Sequence, residues 1–175
     1  MAKKFPRRQL RLPRFMVYLI SKYIAIFTGI KDYEIAGSYR RGKFWCNDID
    51  LLIKNNDIDF KTLDKKMRSI RFFVDRLRLK RSGASSRQYL AFIFGKIIVV
   101  DIFFCTDKDY GTVKLFTTGS ASHNHRIRAR LKEMGYIWQD TRCFKNLETN
   151  EIVSFSEEKD ALLFLKMPYL DPKER

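Results

Sequence analysis

The sequence predicts an α+β protein in which a mixed sheet with flanking helices is followed by a small α+β lobe. Three observations carry that expectation. Apolar residues recur at helical spacing after Phe15 and again after Phe60; two β-rich runs, 88–94 and 97–104, stand almost back to back; and a separate helix–strands–helix pattern begins at Ser120. With 175 residues, 45% hydrophobic content and 15 Phe, the chain has material for a real core, which excludes intrinsic disorder as the main reading.

The elements follow in order. Phe15, Tyr18, Leu19, Tyr23 and Ile26 recur at helical spacing, Gly29 ends that helix, and Ile35-Ala36 starts the next element. Lys22 interrupts the apolar run, which is short of the ~20 residues a membrane span needs, so neither a transmembrane segment nor secretion is expected. A presequence is the weaker reading of the first 31 residues, which hold eight basic side chains and no acid. Lys43 to Ile53 reads as a strand that turns at Asn55-Asn56. From Phe60, the positions Leu63, Met67, Ile70, Val74 and Leu77 continue an amphipathic helix. Gln88 to Phe94 and Ile97 to Phe104 are separated by Gly95-Lys96, which suits a two-residue hairpin loop. Ser120 or Ser122 caps a helix running to about Met134, with Ile127, Leu131 and Met134 buried and Gly135 just past its end. Short polar strands between Tyr136 and Ser154 precede a helix capped at Ser156, where Glu157 and Glu158 suit the positive end of the dipole; Pro168 and Pro172 stop it.

Thirty-five Lys+Arg against 20 Asp+Glu give a net charge of +15 and a pI near 9.9. Such a surface calls for an anionic partner, and nucleic acid leads. Cys46, Cys105 and Cys143 form no C-x-x-C pair, so neither a disulfide framework nor a cysteine-ligated zinc site is expected, and a reducing compartment follows. His123 and His125 have no third ligand in sight, which argues against zinc.

The chemistry lies in the acids. Asp48-Ile49-Asp50 puts two carboxylates on one face of a strand, where they can converge on a pair of divalent cations. Asp57-Ile58-Asp59 repeats the tripeptide, and Asp107-Lys108-Asp109 repeats the spacing. Only the first pair runs into Leu51-Leu52-Ile53, a buried strand where a free carboxylate is costly without a cation. Asp57 or Asp59 reads as a helix cap, and Asp107 and Asp109 as turn residues. Asp101 stands inside an otherwise apolar run, as a metal-site acid or as a buried Asp bonded to Arg or backbone. Gly37 to Lys43 nearly matches a P-loop, but Phe44 replaces its Ser/Thr and a strand follows; a cradle of glycine backbone, one hydroxyl and two arginines remains.

Together these residues resemble the family X DNA polymerases of the nucleotidyltransferase superfamily. Gly37-Ser38-Tyr39-Arg40-Arg41-Gly42 resembles the family's G-S-x-R-R-G, Asn47 to Leu52 its D-x-D segment, Leu115 to Ser120 with Asn124 and Arg128 its Y-F-T-G-S segment and following helix, and Tyr169 to Arg175 its closing Y-x-x-P-K-x-R. The resemblance implies a nucleotidyltransferase palm over residues 1–118 and a thumb over 119–175, the short type without lyase or fingers domain. It further implies a templated DNA polymerase that fills short gaps in repair, including base excision repair, with two Mg²⁺ ions and Mn²⁺ as a substitute. Its partners are gapped or primed DNA and dNTPs, with no membrane; it works as a monomer in the cytoplasm, the nucleus or a viral replication site. Asp48, Asp50 and Asp101 are the implied catalytic metal ligands. Gly37, Ser38, Arg41, Asn47, Phe116, Thr117, Gly119 and Asn124 surround the nucleotide, and Arg128 and Lys132 contact DNA. Thr117 stands where the family usually has a second aromatic, and His123 where it often has Phe. The basic run from Lys65 to Arg87 is a solvated face or a track for the DNA backbone. Alternatives are a nucleotidyltransferase acting on RNA ends, a protein or a small molecule, and a DNA-binding protein without catalysis.

Overall fold

The computed structural model describes residues 10–54, 59–71, 76–93 and 96–175. In chain order its elements are β1 (Leu12–Pro13), α1 (Arg14–Thr28), β2 (Tyr33–Ile35), α2 (Gly37–Arg40), β3 (Trp45–Cys46), β4 (Asp48–Lys54), α3 (Phe60–Ser69), β5 (Arg76–Ser82), β6 (Ser86–Ile93) and β7 (Lys96–Cys105). Between the lobes runs α4 (Tyr110–Thr118), and the second lobe holds α5 (Ala121–Glu133), β8 (Tyr136–Gln139), β9 (Cys143–Asn146), β10 (Ile152–Val153) and α6 (Glu158–Phe164).

The main sheet runs β2-β4-β7-β6-β5, with β4 and β7 parallel and the other neighbours antiparallel. Alternation decides its faces. Ile49, Leu51 and Ile53 of β4 and Ile98, Val100 and Ile102 of β7 point into a core closed by α1 and α3 through Val17, Ile24, Leu63 and Met67. On the other face, Val113 of α4 covers Leu52, while the rows through Asp48 and Asp50 stay partly open. The core of the second lobe gathers Leu115, Ile127, Leu131, Phe144, Leu162 and Leu165. Helix α4 thus serves both lobes, Val113 packing against the main sheet and Leu115 in the second-lobe core.

Several expectations change. Helix α1 ends at Gly29, which takes φ +79°, but its buried face is Val17, Ile20, Ser21, Ile24, Ala25 and Thr28. Phe15, Tyr18, Leu19 and Ile26 are 44–70% exposed. The helix is apolar nearly all round, and the side carrying small Ser21 and Ala25 is the one that packs inward. Helix α3 stops at Ser69 rather than continuing: Ile70 stays buried with extended backbone, and Leu77 is buried from strand β5. The alternation Arg76-Leu77-Arg78-Leu79 is a period of two, and strand geometry wins there. Asp59 caps α3, accepting from the Lys61 and Thr62 amides; Asn55, Asn56, Asp57 and Val74 lie outside the described residues. Lys96 already sits in the hairpin ladder, opposite Ile93. Ser120 caps α5 by accepting from His123 N, whereas α6 starts from Glu157 with no side-chain cap, not from Ser156.

Candidate active site

The parallel register of β4 and β7 sets Asp50 opposite Asp101 and Asp48 opposite Val99. These strands are buried on one face only, so the three carboxylates share the partly open face instead of the sealed interior that the apolar runs implied. Burial still raises all three above the ordinary carboxylate range. Asp50 is pushed well above it, first by burial and then by Asp48 and Asp101, while Arg41 pulls both Asp48 and Asp50 down. Asp101 is raised by burial and held back by the Gln88 hydrogen bond. Among the described residues no three acidic, His or Cys side chains close on a single point. As a donor set, three mutually repelling hard oxygen donors suit Mg²⁺ or Mn²⁺, whose charge offsets that repulsion.

One polar row crosses the sheet: Asp50 pairs with Asp101, Asp101 with Gln88, and Gln88 with Arg81. Gln88 Nε2 donates to Asp101 Oδ1 at 2.8 Å, and Lys80 and Arg81 lower the Asp101 pKa from further along. The predicted basic run is therefore divided. Lys65, Lys66 and Arg68 ride on α3 behind the sheet, Arg78, Lys80 and Arg81 belong to β5, and Arg87 is buried against the Phe60 ring at 4.0 Å.

Gly37 is required by its surroundings. It takes φ +56°, and a Cβ there would collide with Asp50 Oδ2, so only glycine lets α2 approach β4. That approach lines up Ser38 and Arg41 beside Asp48 and Asp50 around a pocket of about 240 Å³, completed by Gly37, Phe103, Phe116, Thr117, Gly119, Ala121 and Asn124. Ser38 Oγ and Arg41 Nε are buried there without a hydrogen-bond partner among the described residues. Arg41 Nη1 donates to the carbonyls of Thr118 and Gly119 at 2.6 and 2.9 Å, tying the end of α2 to the end of α4. A cavity of about 350 Å³ at the end of α1, near Lys31, Lys54 and Lys66, is larger but holds none of the three aspartates.

On the side of the second lobe, Phe116 meets Trp138 edge-on at 5.2 Å and Phe103 at 6.1 Å, with the Arg128 guanidinium 5.6 Å from its centre. Thr117 is buried, its hydroxyl donating to the Val113 carbonyl. Asn124 Nδ2 donates to the Phe116 carbonyl at 2.8 Å, and its Oδ1 lies where a Cβ at Gly119 would fall. Asn47, Arg128 and Lys132 are exposed and outside the pocket lining. Asp107 is exposed and paired with Lys54, while Asp109 is buried, binding the Thr106 amide and Arg142.

Sequence reasoning missed two groups. Gln88 is one. The other is Glu158, buried between Arg40 (2.9 Å) and Arg175 (2.5 Å) rather than serving only the α6 dipole. Arg40 also reaches Thr118 Oγ1 and Glu34, so the segment beside the pocket is braced to both lobes. The only signal for Glu158 was the pair of acids opening a helix.

Residues 5–89 match the family model described as DNA polymerase beta palm, and residues 114–175 the one described as DNA polymerase beta thumb. The chain is 31% identical to Repair DNA polymerase X of African swine fever virus (isolate Warthog), over 83% of this chain and 82% of that protein. It is 27% identical to DNA polymerase lambda of Rattus norvegicus and 23% identical to DNA polymerase/3'-5' exonuclease PolX of Bacillus subtilis (strain 168), over 79% and 89% of this chain. It spans only 28% and 26% of the lengths of those two. Among the described residues no helix is long and apolar enough to cross a membrane.

Proposed function

The chain belongs to family X of the DNA polymerases, and from that membership we propose that it is a template-directed DNA polymerase adding dNTPs to a DNA 3′-hydroxyl, filling short gaps in repair. The observation that carries the reading is the union of Asp48, Asp50 and Asp101 on one open face with the Ser38–Arg41 pocket beside them. Residues 1–118 act as palm and 119–175 as thumb, in a monomer.

Asp48 and Asp50 would hold both Mg²⁺ ions, and Asp101 would share the primer-side one. The bound ions supply charge neutralisation of the phosphates and a lower pKa for the attacking hydroxyl. Asp101, fixed through Oδ1 by Gln88, keeps Oδ2 to orient the 3′-hydroxyl and receive its proton. The Ser38 hydroxyl and the Arg41 Nε–H, both without partners among the described residues, take the β- and γ-phosphates together with the backbone near Gly37 and Asn47. Phe116, with Thr117 and Gly119, forms the floor beneath the sugar. Asn124 keeps its second amide N–H for the base edge, while Arg128 and Lys132 contact the DNA backbone.

The test is primer extension with Mg²⁺ on one-nucleotide-gapped, nicked and unprimed DNA, with each dNTP supplied singly. Incorporation of the complementary nucleotide on the gap is expected. Labelling independent of template, or confined to unprimed ends, would overturn the reading.

A further inference from the structure

We propose that Phe44 and Trp45 form a stacking platform for the unpaired bases of single-stranded nucleic acid. Both rings face solvent, 65% and 56% exposed, and they meet edge-on at 5.2 Å. Their backbone is held in place: Leu12 pairs with Cys46, Pro13 with Trp45, and the Arg14 amide donates to the Phe44 carbonyl at 2.8 Å. Cys46 is fully buried, so alternation turns Trp45 outward. Phe15, next to Arg14 at the start of α1, is also 63% exposed.

Charge selects the occupant. Arg11, Arg14 and Lys43 are exposed in the same segments, and no acid occurs from Ile35 to Asn47 or in the first 31 residues. Exposed rings interleaved with cations are the composition of surfaces that bind single strands, where bases stack and the backbone meets Lys and Arg. An apolar protein partner would not call for the cations, and an acidic one would not call for the rings. Trp45 stands three residues before Asp48 in the chain, and neither ring lines the pocket beside the aspartates, so the platform is a surface of its own. The inference rests on the reading that the protein works on DNA, but its test needs no catalysis.

Fluorescence anisotropy, without metal or nucleotide, compares oligo-dT, an abasic oligonucleotide of the same length and charge, a blunt duplex and poly-glutamate. The wild type should prefer oligo-dT to the abasic strand by about fivefold or more. Phe44→Ala with Trp45→Ala should erase that preference while leaving abasic and duplex binding as they are, and Trp45→Phe should keep most of it. Oligo-dT binding should also quench Trp45 fluorescence in a Trp138→Phe background. An unchanged preference in the double variant, equal loss on all four probes, or poly-glutamate held as tightly as oligo-dT would overturn the platform. Failed primer extension with an intact oligo-dT preference would instead count against the polymerase reading.

Discussion

Replacing His123 with Phe isolates one contribution to acid stability. His123 is fully buried on α5, and among the described residues neither ring nitrogen has a protein partner. Burial, together with Arg175 and Arg126 against the opposing pull of Glu158, lowers its pKa to about 4, whereas an unfolded histidine titrates near ~6.5. Between those values the unfolded chain carries one more proton than the native protein. The stability at stake is therefore fully present above about pH 6.5 and drains as the pH falls towards the folded value. One proton corresponds to ~1.4 kcal/mol per pH unit, so the whole contribution amounts to up to about 3 kcal/mol. Glu158 is lowered because its bonds to Arg40 and Arg175 outweigh burial, so its contribution is lost only below the ordinary range of a glutamate. Asp48, Asp50 and Asp101 are raised and act in the opposite sense. Wild type and variant share those carboxylates, so the difference between the two chains reports His123 alone. Urea unfolding at pH 7.5, 6.5, 5.5 and 4.5 measures it. His123→Phe should gain on wild type by roughly 2–3 kcal/mol between pH 7.5 and 4.5; a fixed packing difference would shift both ends equally. Parallel stability curves would refute the reasoning.

Three further outcomes follow from the same contacts. Glu158→Gln leaves Arg175 buried without its acidic partner and Arg40 with Glu34 alone, at a cost of about 3–5 kcal/mol and a Tm lower by roughly 6–20 °C; a calorimetric drop under about 2 °C would contradict the brace. Gln88→Met removes the hydrogen bond to Asp101, so kcat on a one-nucleotide gap should fall about 10- to 100-fold with the dNTP KM little changed, and a loss confined to KM would contradict it. Thr117→Phe should restore an aromatic face beneath the ribose and improve the kcat/KM ratio of dNTP to rNTP roughly three- to tenfold; an unchanged or lower ratio would mean that Thr117 does not face the sugar.

Much of the architecture is legible because the signals are local. The hairpin, the Ser120 cap, Gly29 and Gly135 and the Asp59 cap all depend on a few consecutive residues. What escapes depends on partners far along the chain. A loop at Gly95-Lys96 would pair Phe94 with Ile97 and bring Leu90 opposite Asp101; the ladder instead pairs Ile93 with Lys96, which slides Gln88 onto Asp101. One loop position thus conceals the residue that positions a proposed catalytic acid. Helix α1 has two apolar faces, and periodicity cannot tell which one the sheet will take. Glu158 finds Arg40 across 118 residues, beyond any spacing rule. The clustering of Asp48 and Asp50 with Ser38 and Arg41 was within reach, since α2 and β4 are joined by a few residues and Gly37 must be glycine for them to touch.

The central claim is that three aspartates, and not acids in general, carry metal-dependent nucleotide addition. Its most direct test is single-turnover incorporation on a one-nucleotide gap with Mg²⁺ for wild type, Asp48→Asn, Asp50→Asn, Asp101→Asn and the helix-cap control Asp59→Asn, with melting curves for each. The three site variants should melt like folded proteins and lose nearly all incorporation, while Asp59→Asn keeps most of it. Full activity in any of the three, or an equal loss in Asp59→Asn, would contradict the account.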